Sequence, residues 1–332
     1  MAHELQSNDT LVLATKSAWH GLGIVLPDEF TVAEALSVGR LDWSVEESTA
    51  LTATFVEREG EATRSLIETH KTLRRSDDKT ILSTVGSDYT VLQNTALADI
   101  ASSLGTEGGV KVESAGSLFG GRKVFFLIRT KTVDVGLKGD IVQQYILLAN
   151  AHDGTMSATV MPTKIRVVCA NTFTRALNHR SAAKAFRWRH TAGLALKTED
   201  IKAALASYSA TAADDAAAMN ALAAKSLTSA QIQSLWTDVL VALDGPIAID
   251  PVNDQQARRK VKAVEALANM ARVFDSEAAQ FGPTAWVAVN AATNYIQYHR
   301  GANTGDARVN SDLFGAYSDA KHVAMELALA SL

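Results

Sequence analysis

The sequence predicts an α+β fold, with an antiparallel β-meander and helices in the N-terminal part and a helical C-terminal part. Three observations carry that reading. Short runs rich in β-branched and aromatic residues, broken by turn signals, fill the chain up to about residue 195. Beyond it, alanine-rich patterns of helical period take over. A hydrophobic fraction of 47% and a charged fraction of 20% supply a core and argue against a disordered chain. The expected division is a mixed α+β domain over 1–195 and an alanine-rich helical domain over 196–332.

The elements follow in order. Leu41–Phe55 and Arg64–Leu73 read as strands about the polar turn Arg58-Glu59-Gly60-Glu61, and Lys79–Val85 reads as another. Asn94–Leu104 reads as a helix, with Leu97, Ile100 and Leu104 on one side and Gly105 as its stop. Val110–Ser114, Arg122–Thr130 and Ile141–Ala149 form the meander, joined through Gly120-Gly121 and the loop Val135–Asp140. Met156–Met161 and Lys164–Val168 continue it, with Pro162 interrupting as a turn, edge or bulge. Asn171–Asn178 is expected to start a short helix. Four or five helices follow: Thr198–Lys225, Thr228–Leu243 capped by Thr228 or Ser229, Asn253–Phe274, Pro283–His299 and Ser311–Ser331.

Charge is distributed unevenly. From Gly154 to Thr198 there is no Asp or Glu, while Lys164, Arg166, Arg175, Arg180, Lys184, Arg187, Arg189 and Lys197 give eight fixed positive charges. The formal net charge of the chain is -4, so the rest of it is strongly acidic. A basic interval in an acidic chain is an argument about partners, and a polyanion is the natural one. Phe173, Phe186 and Trp188 interleave with those cations, as stacking platforms for bases would. One cysteine, Cys169, excludes an internal disulfide framework and a multi-cysteine zinc site. No apolar stretch reaches membrane-spanning length, and the N-terminus has no basic region followed by an apolar run. No membrane partner and a cytoplasmic location are the expectation.

Four local signatures invite chemistry. Trp19-His20-Gly21-Leu22-Gly23 reads as a turn packed under its tryptophan and lacks the lysine and spacing of a phosphate loop. Asn150-Ala151-His152-Asp153-Gly154-Thr155 reads as a hairpin turn; divalent-ion binding or acid–base work by His152 and Asp153 is the alternative. In the run from Thr163 to Thr172, Lys164 and Arg166 alternate with Ile165 and Val167, placing both cations on one strand face. Asn171 and Thr172 are expected to cap the following helix, whose free N–H groups favour a phosphate. Around Trp286, Asn290 and Thr293 a polar stripe reads as an internal seam between helices, with base contact as the alternative.

In this order, these segments resemble the phage/plasmid-like protein family built on a domain of unknown function. The resemblance covers nearly the whole chain. It also takes in Val85-Gly86-Ser87-Asp88-Tyr89-Thr90-Val91-Leu92-Gln93-Asn94 and Gly116-Ser117-Leu118-Phe119-Gly120-Gly121-Arg122. It implies a phage or plasmid gene, and a host-cell cytoplasm for a phage-encoded chain. It carries over no catalytic residue.

The leading expectation is a nonenzymatic protein that binds single-stranded nucleic acid, of recombination or annealing type, using Lys164, Arg166, Arg175, Arg180, Lys184, Arg187 and Arg189 for phosphates and Phe186, Trp188 and Trp19 for bases. A strand meander carrying a basic stripe is broadly similar to the core of single-strand annealing proteins. No catalytic residue, cofactor or metal ligand is assigned, and homo-oligomerisation through the alanine-rich helices remains open. A protein-interaction factor acting on host or phage proteins is one alternative. A metal-dependent nuclease using His152, Asp153 or Cys169 is another, and the lack of a carboxylate cluster counts against it.

Overall fold

The computed structural model describes residues 10–14, 24–49, 51–56, 62–103, 111–136, 139–166, 171–174, 186–194, 214–301 and 305–332. For 131, 164–166 and 171–174 it describes the backbone alone. Contacts group the chain into two compact units that interleave along the sequence. The first holds the described residues up to 129, with 146–161 and 186–194. The second holds 130–145, 162–166 and 171–174, and everything described from 214 onward.

The strands in chain order are β1 (Leu11–Ala14), β2 (Ile24–Leu26), β3 (Val45–Glu47), β4 (Leu51–Val56), β5 (Ala62–Ile67), β6 (His70–Arg75), β7 (Ile81–Gly86), β8 (Val112–Leu118), β9 (Lys123–Val135), β10 (Asp140–Ala151), β11 (Ala158–Arg166), β12 (Asn171–Thr174) and β13 (Phe186–Trp188). The main sheet has the order β12-β11-β10-β9-β8-β1-β2, with β13 also paired to β11. The expected meander is thus present, from β8 to β11. It is longer than the sequence suggests, because β9 and β10 run past the predicted ends at Thr130 and Ala149. β3, β6 and β7 form a second sheet, and β4 pairs with β5; the predicted turn Arg58-Glu59-Gly60-Glu61 lies outside the described residues.

In the first unit, β1 lies antiparallel to β8, with Leu11 opposite Gly116. A Cβ on Gly116 would stand 2.5 Å from the Thr10 carbonyl oxygen, so the close approach of these strands requires glycine. Leu11, Leu13, Phe125, Phe126 and Leu127 fill the core. Helix α1 (Val32–Val38) opens with a capping box: the Thr31 hydroxyl accepts from the Glu34 N–H while the Glu34 carboxylate accepts from the Thr31 N–H. Helix α2 (Asn94–Ser102) buries Leu97, Ala98, Ile100 and Ala101, the face that its spacing predicts.

Two expectations in the basic interval need correction. Pro162 does not break the chain into two strands, because β11 runs through it. The reason is a change of neighbour: β13 pairs with Ala158–Val160 and β12 with Thr163–Arg166. Proline, which has no N–H to donate, falls in the gap between these partners. Asn171–Thr174, expected to begin a helix, is strand β12, paired with β11 so that Arg166 lies opposite Asn171 and Lys164 opposite Phe173. The β-branched and aromatic character of Thr172, Phe173 and Thr174 suits a strand, and pairing to β11 outweighs the capping signal.

The second unit is helical from residue 214 onward, and among its described residues no strand lies beyond 200. Residues 214–224 are helical. They are followed by α3 (Ser229–Asp244), α4 (Asp254–Phe281), α5 (Ala285–Tyr298), α6 (Gly305–Phe314) and α7 (Ala316–Ala330). Thr228, Asn253 and Thr284 cap α3, α4 and α5 through side-chain oxygens. The predicted helix Ser311–Ser331 is divided in two at Gly315. Helix α5 is the centre of the unit: Trp286, Val287, Ala288, Val289, Ala291, Ala292 and Ile296 are all buried. A helix buried nearly all round is a core helix, and its alanines let the neighbours come close. The Trp236 indole N–H donates to the Ala288 carbonyl at 2.8 Å, fixing α3 against it.

Candidate nucleic-acid interface

Several segments singled out in the sequence meet in the first unit around His152. Its Nε2 lies 3.0 Å from Asn94 Oδ1, and the Asn94 amide donates to the carbonyls of Leu41 and Trp43 at 3.1 and 3.2 Å. Nε2 is therefore the protonated nitrogen, facing a carbonyl-type acceptor, and Nδ1 faces the Asn150 amide at 3.5 Å. The Trp43 ring stands edge-on to the imidazole at 5.6 Å. Complete burial pushes the His152 pKa down to about 3, with His190 adding to the depression. This histidine is neutral and clamped; it ties the start of α2, the end of β10 and the Leu41–Trp43 segment together.

The backbone at the same place joins further segments. The His152 N–H donates to Arg122 O at 2.7 Å, the Ser83 hydroxyl donates to His152 O, and the Tyr89 hydroxyl donates to Ala151 O. Tyr89 stacks on His190 with centroids 4.4 Å apart, and the His190 carbonyl accepts from the Thr90 N–H. Burial raises the Tyr89 pKa, and the nearby Asp153 and Glu47 charges push it the same way. Asp153 closes its turn by accepting from the Thr155 N–H and hydroxyl, and Gly154 takes φ +72°. The turn reading of this segment holds.

Above this centre the unit presents cations and a ring. The turn from β8 to β9 places Phe119, Gly120 and Gly121 at φ 58°, 72° and 92°. A Cβ on Gly121 would lie 2.9 Å from the Trp43 ring, so glycine is what lets the turn close down there. Phe119 is half-buried, with the Arg122 guanidinium 5.9 Å and the Lys123 ammonium 5.7 Å from its ring centroid. Asp153 lies within electrostatic reach of both Lys123 and Tyr89. Next to His190, the chain alternates strictly: Arg187 and Arg189 are exposed, Trp188 and His190 are buried. That is the period-two pattern of a strand with one wet face.

The predicted site residues fare unequally. Arg187 and Arg189 share one exposed face, as a phosphate-binding strand requires. Trp188 is only 6% exposed, so the base-stacking role expected of it fails. Its ring stacks instead on Phe186, with centroids 6.2 Å apart. Asn171 sits in a strand and caps no helix, which removes the expected helix N-terminal phosphate site. Trp286 and Asn290 are buried and face their own unit: the indole donates to Asp140 Oδ2 at 2.8 Å, and the Asn290 amide donates to Trp286 O. The stripe is internal, but its bonds run within α5 and to strand β10 rather than between helices as expected, and the base-contact alternative for these residues is withdrawn. The backbones of Lys164 and Arg166 lie two apart in β11; their side chains are outside the described residues. Trp19, His20, Cys169, Arg175, Arg180, Lys184 and Lys197 are also outside them. Among the described residues no three His, Cys, Asp or Glu side chains converge as metal ligands. Phe119, Arg122 and Lys123 were not singled out as site residues; the Phe-Gly-Gly-Arg turn was the available signal.

Among the described residues no helix is long and apolar enough to cross a membrane. Neither a curated protein nor a solved structure matches the chain. A family model does match, over residues 81–315, which take in α2, the meander, the basic interval and the helices as far as α6. The chain belongs to the family described as Domain of unknown function (DUF932).

Proposed function

We propose that this protein binds single-stranded nucleic acid through the face that carries Arg187 and Arg189. The alternation around β13 is the observation that supports it most directly: Arg187 in the strand and Arg189 just past its end are both exposed, while the tryptophan between them is anchored in the core. A rigid strand presents cations at fixed spacing with little ordering cost on binding. Phosphates would pair with Arg187, Arg189 and Arg122, releasing counterions. Phe119, held in a strained turn and flanked by two cations, takes over the stacking role that Trp188 cannot fill. Reading sequence would require directed hydrogen bonds to base edges, so the binding is expected to be largely sequence-independent. A recombination or annealing role, a phage or plasmid gene and a homo-oligomeric state belong to the same proposal.

The test is fluorescence anisotropy with a labelled single-stranded oligonucleotide across a salt series. The expected result is binding at low salt that weakens steeply as salt rises. Arg187→Ala/Arg189→Ala should bind more weakly and with a shallower salt dependence. Phe119→Ala should cost about 1–3 kcal/mol of affinity while leaving the salt slope unchanged, as loss of a stacking ring does. No binding by folded protein at low salt would overturn the proposal and favour a protein partner.

A further inference from the structure

A cleft of about 1080 Å³ opens in the helical unit, lined by none of the residues proposed to bind nucleic acid. Arg258, Arg259 and Lys262 reach it from the first turns of α4, Asn269 from further along α4, Tyr295 from α5 and Arg300 from just beyond α5. Two of the cations are committed. Arg300 is paired with Asp244 at 2.7 Å, and Arg259 donates to the Pro246 carbonyl at 3.3 Å. Arg258 and Lys262 are exposed, stand one helical turn apart on the same face, and have no ion pair within the described residues. Asp254 and Glu265 also line the cleft and are exposed.

We propose that this cleft binds a nucleoside phosphate. Arg258 and Lys262 offer unused N–H donors at one position, the arrangement that a phosphate group satisfies. The Tyr295 ring, half-buried in the wall, gives a flat surface for a base. Inorganic phosphate answers the cations but not the ring. A neutral nucleoside answers the ring but not the cations. A nucleoside phosphate answers both, and the cleft has the volume of a small-molecule site.

Isothermal titration calorimetry of the full chain at low ionic strength tests this, with ATP and tripolyphosphate as probes. ATP should saturate one site per chain and bind about ten-fold or more tightly than tripolyphosphate, since only ATP carries a base to lie on Tyr295. Arg258→Ala/Lys262→Ala should weaken both ligands by about ten-fold or more. Tyr295→Leu should weaken ATP and leave tripolyphosphate unchanged, a selectivity that an unfolded variant would not show. Unchanged thermal melts would show that Arg258→Ala/Lys262→Ala is folded, as expected where exposed side chains without partners are removed. Arg187→Ala/Arg189→Ala, which lies in the other unit, should bind ATP like the wild type even if oligonucleotide binding fails. Absence of saturable ATP binding, or wild-type ATP affinity in Arg258→Ala/Lys262→Ala, would overturn the proposal.

Discussion

His152 shows how one buried side chain couples the fold to pH. Its pKa is pushed from 6.5 to about 3 in the folded chain, while the unfolded chain titrates at the ordinary value. Below pH 6.5 the unfolded state therefore takes up a proton that the folded state refuses, and stability falls with pH down to about 3. The expected loss is about 1.4 kcal/mol per pH unit within that window. Thermal melts from pH 7 downward should show it, and His152→Gln should flatten the acid limb; an unaltered limb would show that other groups control acid unfolding. Asn94 makes the complementary case. It bonds to His152 and to two carbonyls of the Leu41–Trp43 segment, all buried. Asn94→Ala leaves these partners unsatisfied and should cost at least about 2 kcal/mol in urea unfolding.

At the scale of elements, the helices of the second unit are set by their ends and by one buried ion pair. Thr228 and Gln231 satisfy each other's N–H groups at the start of α3. Thr228→Ala should destabilise the protein by about 1 kcal/mol, measured as a shift in the denaturation midpoint. Between α6 and α7, the Lys321 ammonium sits 2.5 Å from the Asp312 carboxylate, with both side chains buried. Desolvation drives the Lys321 pKa down, opposed by Asp312. Removing the ammonium takes the Lys321 counter-charge from the buried Asp312 carboxylate, so Lys321→Met should cost about 3–5 kcal/mol. Lys321→Met/Asp312→Leu should recover most of that loss, because the buried charge is gone as well. A double variant as unstable as the single would show that the loss does not come from the carboxylate left behind.

At the scale of the molecule, a chain of formal charge -4 is expected to meet a polyanion through a local surface. Its affinity for single strands should then follow a linear log–log salt dependence, and loss of Arg187 and Arg189 should reduce the slope by about 1.4, at about 0.7 per phosphate contact. An unchanged slope would place phosphate binding elsewhere. The order of strands and helices could be read from the sequence because period-two runs, Gly-Gly and Asp-Gly turns and Thr or Asn caps are local signals. Val112–Ala151, α2 and α3 appeared nearly where those signals put them. Asn171–Thr174 did not, because pairing with β11 is a non-local interaction that capping chemistry does not register. Arg187 and Arg189 could be found as cations in an acid-free interval. That Trp188 between them faces inward depended on Ala158 lying opposite it in β11, a register that only folding sets. The sequence by itself determined the fold class, the charge asymmetry and the starts of α3 and α4, all carried by neighbours along the chain. The tertiary structure decided that His152 is a clamped core residue, that Trp286 is internal and bonds to strand β10 and that Phe119 stands between two cations, because burial is a property of what the rest of the chain brings against a residue.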